Sequence, residues 1–118
     1  MSKNYLSRND ELRRGDYLMS NNGQWKAVFQ DDGNFVIYGW KPVWASDTCG
    51  CDAVRLIMQE DCNLVMYNES NRPKWASDTY CLGSNVCRLR LSDDGKLCLY
   101  KDATELWNST MSKGGKKH

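Results

Sequence analysis

The chain has 118 residues, of which 16 are Lys or Arg and 15 are Asp or Glu. That length suits one domain with a core of its own. The near-neutral balance argues against a partner held by phosphate neutralisation, so no nucleic acid is expected. No apolar run approaches the ~20 residues of a membrane-spanning helix, so no membrane insertion is expected either.

The chain opens with "MSKNYLSRNDELRRGDYL", which is charged throughout and lacks the apolar segment of a signal peptide. Six cysteines nonetheless suit an oxidising compartment. The two features conflict: a secreted, extracellular protein is the expectation, and cytoplasmic retention the alternative. Cys49-Gly50-Cys51 has one residue between its cysteines, Cys81 and Cys87 have five, and the single histidine is the last residue. Neither spacing fits a zinc site, so no metal and no cofactor are expected.

The next segment, "LRRGDYLMSNNGQWKAVF" (12–29), is expected to supply the strands that complete a first sheet, turning at Asn21-Asn22-Gly23. Three copies of one unit follow. They are "KAVFQDDGNFVIYGWKPVWASDT" (26–48), "RLIMQEDCNLVMYNESNRPKWASDT" (55–79) and the more worn "RLRLSDDGKLCLYKDATELWNST" (88–110). Trp44, Trp75 and Trp107 recur at steps of 31 and 32 residues, and "WASDT" appears twice letter for letter. In the first and third copies two apolar runs flank an Asp-Gly turn, a strong hairpin signal; the second has Asp61-Cys62 there. A third short strand in each copy carries the tryptophan.

No stretch sustains a 3.6-residue period, so the fold class is all-β. Three repeats of this length are too few and too short for a propeller. The expectation is three small antiparallel sheets around a pseudo-threefold axis, sharing one core because each sheet alone is marginal. Trp44, Trp75 and Trp107 should lie near that axis, with Phe35, Ile37, Leu64, Met66, Leu97 and Leu99 around them. The tryptophans have a second reading as stacking platforms for sugars or bases, but their identical place in each copy favours the core. The domain is expected to span residues 1–111, leaving 112–118 as a basic, disordered tail.

In the strand after each turn, residues two apart share a face. Asn34, Val36 and Tyr38 therefore point outward while Phe35 and Ile37 point to the core, and Gln30 and Asp32 can lean over the same outer face. This patch holds an amide pair, a carboxylate, a phenol and an aliphatic group, with no base to activate a nucleophile. It is equipped to bind a neutral ligand with many hydroxyls. Asp31-Asp32 and Asp93-Asp94 are adjacent carboxylates, but they sit in turns, where such residues are ordinary. No enzyme activity is expected.

Gln30-x-Asp32-x-Asn34-x-Val36-x-Tyr38 and Gln59-x-Asp61-x-Asn63-x-Val65-x-Tyr67 resemble the mannose-binding motif of the bulb-type (monocot, snowdrop-like) lectins. The likeness extends over nearly the whole chain, including "WASDT" and Gly15-Asp16-Tyr17-Leu18. The charged N-terminus and basic tail look closest to the skin-mucus lectins of fish within that family. The resemblance implies a β-prism II fold. It also implies that Asp32 and Asn34 hold the axial 2-hydroxyl of mannose, Gln30 the 3-hydroxyl and Tyr38 the 4-hydroxyl, with Val36 against the C3–C4 edge. Gln59, Asp61, Asn63, Val65 and Tyr67 form the second site by the same argument.

The third copy departs, with Ser92, Asp94, Lys96, Cys98 and Tyr100 in those places. Ser92 is shorter than Gln, Lys96 brings a charge where the amide stood, and Cys98 replaces the aliphatic contact, so this site is expected to be dead or much weaker. The resemblance further implies a disulfide between Cys62 and Cys87, leaving Cys49, Cys51, Cys81 and Cys98 unassigned, Cys98 as a free or intermolecular thiol. It implies a homodimer formed by exchange of the strand around Trp107–Met111, and agglutination of cells bearing mannose-rich glycoproteins in host defence. The competing reading is an interaction module on the same fold that binds a protein target with little or no sugar dependence.

Overall fold

A computed structural model describes residues 3–81 and 86–117. Thirteen short strands and no helix occur among them. The N-terminal segment carries β1 (Tyr5–Ser7), β2 (Glu11–Arg13) and β3 (Tyr17–Met19). The first copy forms β4 (Lys26–Phe29), β5 (Phe35–Tyr38) and β6 (Pro42–Ala45). The second forms β7 (Arg55–Met58), β8 (Leu64–Tyr67) and β9 (Pro73–Ala76), and the third β10 (Cys87–Leu91), β11 (Leu97–Lys101) and β12 (Thr104–Asn108). Gly115–Lys116 add β13.

Period-two patterning drives these elements. Along β10 the residues alternate buried and exposed, and β4 and β7 alternate buried with half-buried. Each copy is a three-stranded antiparallel meander, β4-β5-β6, β7-β8-β9 and β10-β11-β12. The last pairing in each carries a register shift, between Ile37/Tyr38, Met66/Tyr67 and Leu99/Tyr100. The three motif tyrosines thus stand at the same irregularity, where local twist re-aims a side chain.

Segment 12–29 completes the first sheet as the sequence suggests, with β3 and β4 joined through the turn at Asn21-Asn22-Gly23, while the strands that precede β3 go to the other two sheets. β3 pairs with β4, β2 with β7 in the second sheet and β1 with β10 in the third. Each strand contributes one buried leucine at its centre, Leu6, Leu12 and Leu18. These leucines stand six residues apart and meet Leu89, Leu56 and Ala27 across the pairings. One continuous strap therefore ties all three sheets together.

The tail also differs from its expected disorder. β13 pairs with β9, Gly115 opposite Ala76 and Lys116 opposite Trp75. The Lys113 carbonyl accepts from Trp75 Nε1 at 2.6 Å, and Lys113 and Lys117 reach Asp47 and Asp78 at 2.8 and 2.7 Å. Glycine makes this approach possible. Gly114 has φ +71°, and a Cβ there would stand 2.5 Å from the indole of Trp75. His118 lies outside the described residues.

The core sits where the three inner faces meet. Phe35, Ile37, Leu64, Met66, Leu97 and Leu99 are all fully buried. Trp107 stands between the other two repeat tryptophans, 5.9 Å from Trp44 and 6.5 Å from Trp75, ring edge to face. Trp75 and Trp107 both donate their indole N–H to the C-terminal segment, whereas the buried Nε1 of Trp44 has no partner among the described residues.

Candidate functional site

The first site grows from the turn at 30–34. Gly33 N donates to Gln30 O at 3.0 Å and Gln30 N to Asn34 O at 2.9 Å, closing a three-residue hairpin loop with Gly33 in the left-handed region. The Asp32 carboxylate accepts from Asn34 N at 3.0 Å and from Gln30 Nε2 at 3.1 Å. These bonds, the backbone one foremost, hold its pKa below the ordinary carboxylate value. The other end of the Gln30 amide accepts from the Tyr38 hydroxyl. Gln30, Asp32 and Tyr38 are therefore one connected set.

Asn34 is fixed from the opposite side. Its Oδ1 accepts from Ser46 Oγ at 3.2 Å and from Thr48 N at 3.1 Å. With its oxygen occupied, Asn34 offers Nδ2, which has no partner among the described residues, as an outward donor beside the Asp32 acceptor. Below lies an apolar floor: Val28, Val36 and Ala45 are register partners across β4, β5 and β6, with Val36 4% exposed. Ser46 and Thr48 escape motif reasoning although "WASDT" displays them. Asp47 between them has φ +60°, a left-handed step in the loop that returns Thr48 N to Asn34.

The second site repeats this construction. Asp61 accepts from Asn63 N and Gln59 Nε2, both at 3.0 Å, and Tyr67 donates to Gln59 Oε1. Asn63 Oδ1 accepts from Ser77 Oγ at 3.3 Å and Thr79 N at 3.2 Å, with Asp78 at φ +59°. Ile57, Val65 and Ala76 form its floor.

The third copy does not. Ser92 Oγ bonds Asp94 and the backbone of Lys96, and Lys96 Nζ lies 3.8 Å from Asp94, so the carboxylate is answered by its own turn. The floor there is Arg90, Cys98 and Asn108. "WNST" is one residue shorter than "WASDT", so Ser109 keeps its bond to Leu97 N but no counterpart of Thr48 follows. Tyr100 remains at its register shift beside Cys98. That cysteine is a free thiol only 5% exposed, and burial pushes its pKa up; it is too enclosed to pair with another chain.

Each turn is secured by different chemistry. Cys62 and Cys87 form the disulfide that the resemblance implies, tying the second turn to β10. At the third turn Trp25 covers Gly95 and donates to Asp93 O at 3.0 Å, while Asn22 adds two bonds to Asp93. At the first, Arg14 bonds Asp31 O, Cys51 O at 3.0 Å and Ala53 O at 2.7 Å, clamping turn and following loop together. Arg14→Ala is expected to weaken ligand binding at the first site several-fold and leave the second unchanged. Site-resolved titration monitored by NMR checks this; equal weakening at both sites would exclude a local clamp.

No family model matches the chain. Over 113 residues it is 64% identical to the B-type lectin plumieribetin of Scorpaena plumieri, covering 96% of this chain and 100% of that protein. A monomeric monocot mannose-binding lectin from Gastrodia elata matches it with a TM-score of 0.81 at 32% identity, covering 91% of this chain and 96% of that one. The mannose-specific agglutinin of snowdrop (Galanthus nivalis), solved with methyl-α-D-mannoside, gives a TM-score of 0.76 at 36% identity, covering 89% and 94%. Three antiparallel sheets around one core, each copy built on the same turn, define a β-prism II lectin architecture. The chain belongs to the B-type, or bulb-type, lectin family.

Proposed function

We propose that this protein is a mannose-binding lectin with two working sites, one on each intact motif, and no catalytic role. One observation carries the reading: in both turns a fixed hydrogen-bond set aims a carboxylate acceptor and an amide donor outward above an apolar floor. An axial 2-hydroxyl suits that pair, accepting from Asn34 or Asn63 and donating to Asp32 or Asp61. Gln30 with Tyr38, and Gln59 with Tyr67, take the 3- and 4-hydroxyls, and Val36 or Val65 meets the C3–C4 edge. An equatorial 2-hydroxyl leaves the pair poorly matched, at a cost of about 1–3 kcal/mol. The methyl-α-D-mannoside bound by the snowdrop agglutinin supports this ligand class.

The third copy, with its self-satisfied carboxylate and charged floor, is taken as inactive. Single shallow sugar sites bind weakly, and useful affinity comes from presenting several at once. A homodimer doubles the two sites, and β12, an edge strand of its sheet, suits exchange or pairing between chains. Mannose-bearing glycoproteins on cell surfaces, met outside the cell, are the corresponding targets, with agglutination in host defence as the outcome.

Calorimetric titration with methyl-α-mannoside tests the assignment. Two sites are expected in the wild type, one in Asn34→Ala or Asn63→Ala, and none in the double variant; retained binding in the double variant sinks it. The fully exposed Trp40, with half-exposed Val43 nearby, favours a second reading in which this edge docks a protein. Target binding that persists in excess mannose would support that reading instead.

A further inference from the structure

Beyond the first site the loop at 48–52 opens onto a cavity of about 380 Å3. Thr48, Cys49, Lys74, Lys116 and Lys117 line it, with Asp47 and Asp52 also present. It begins where the first site ends. Thr48 N holds Asn34 Oδ1 at 3.1 Å, and Cys49 Sγ donates to Asp32 Oδ2 at 3.4 Å. The ordered tail supplies two of its three lysines.

The charges do not cancel. Asp47 is answered by Lys113 at 2.8 Å, Asp52 by Lys74 at 3.4 Å and by Asn68 Nδ2 at 3.0 Å, and Asp78 by Lys117 at 2.7 Å. Lys116 makes no ion pair among the described residues and is exposed. One ammonium is thus in surplus on the cavity wall, with those of Lys74 and Lys117 also lining it. Nothing in the two motifs uses it.

We infer that this cavity is a subsite continuous with the first site, taking the sugar next to the bound mannose when that sugar carries an anionic group. The inference rests on the mannose reading of the first site. The volume is within the range of small-molecule pockets and accommodates a single sugar ring. A phosphate ester or a uronic carboxylate supplies the same chemistry: a compact anion for Lys116, reinforced by the neighbouring ammonium groups. The partner is a mannose-rich glycan decorated with acidic groups, not a neutral one.

The test uses the full chain carrying Asn63→Ala, so that only the first site reports. Its ligands are methyl-α-mannoside, a neutral dimannoside, the same dimannoside phosphorylated on its second sugar, and a uronic-acid analogue. The anionic disaccharides are expected to bind about three- to fivefold more tightly than the neutral one, the range of an exposed charge pair. Added salt and Lys116→Gln should each remove that advantage while neutral dimannoside binding stays constant. Equal affinity for neutral and anionic ligands, or an advantage that survives Lys116→Gln, overturns the subsite and leaves the first site standing. Failure to bind methyl-α-mannoside overturns both.

Discussion

Replacing both Cys62 and Cys87 by alanine is expected to lower the stability of the protein by about 3 kcal/mol, chiefly by freeing the unfolded chain. The bridge closes a loop between positions 25 apart, and both cysteines are buried. A second, smaller quantity is hidden in the same turn. Cys62 has φ +69°, where the first and third copies place Gly33 and Gly95 at +86° and +85°. A side chain there costs roughly 1–2 kcal/mol that glycine does not incur. The pair Cys62→Gly with Cys87→Ala should therefore recover about 1 kcal/mol relative to the double alanine variant. Urea unfolding of the three proteins measures both differences, and identical stability of the two double variants would contradict the account. Because Asp61 and Asn63 flank Cys62, mannoside occupancy should fall at the second site and hold at the first.

The other large effect is expected at Gly95. A methyl group there meets Trp25 at 2.7–2.9 Å across three ring atoms, on a backbone at φ +85°. Conformational strain and overpacking act together, and Gly95→Ala should cost about 3 kcal/mol. Gly23 has φ +73° with nothing within 4 Å of its missing Cβ, so Gly23→Ala carries the strain alone, about 1 kcal/mol. Adding Trp25→Ala to Gly95→Ala removes the clash, and a double-mutant cycle should show strong coupling between them. Thermal melts in which Gly95→Ala and Gly23→Ala behave alike would refute the clamp. The third turn is thus held by the β3–β4 hairpin through Trp25 and Asn22.

Much of this architecture is legible because it is written three times. Repetition exposes the hairpins, the alternating strands and the outward motif faces, since a turn and its flanking strands are neighbours in sequence. The strap is not legible. β1, β2 and β3 have three residues and one buried leucine apiece, too short to show a period, and two of them pair with strands of later copies. The tail misleads for another reason: its lysines read as solvation, while Gly114, which lets it lie against Trp75, and Gly115, which lets it lie against Asp78, carry no charge signal.

The candidate sites divide along the same line. Gln30, Asp32, Asn34 and Tyr38 are found by spacing because a strand face repeats every second residue. Ser46, Thr48 and Arg14 act on the site from other segments, and only the folded chain brings them to it. Likewise the wear in the third copy shows at Ser92, Lys96 and Cys98. Arg90 and Asn108, which flank Cys98, appear only once the register is known.

The strap also sets an order of assembly. Each meander pairs near neighbours and can close as soon as its own residues have left the ribosome. β1 cannot follow that schedule, because Tyr5 pairs with Arg90. β1, made ahead of all three copies, is therefore among the last to be fitted, waiting unpaired until the final copy emerges. Such non-local pairing slows folding and exposes open strand edges in the interval. A bulky group attached just before β1 would act on this closing step before it acted on any binding site.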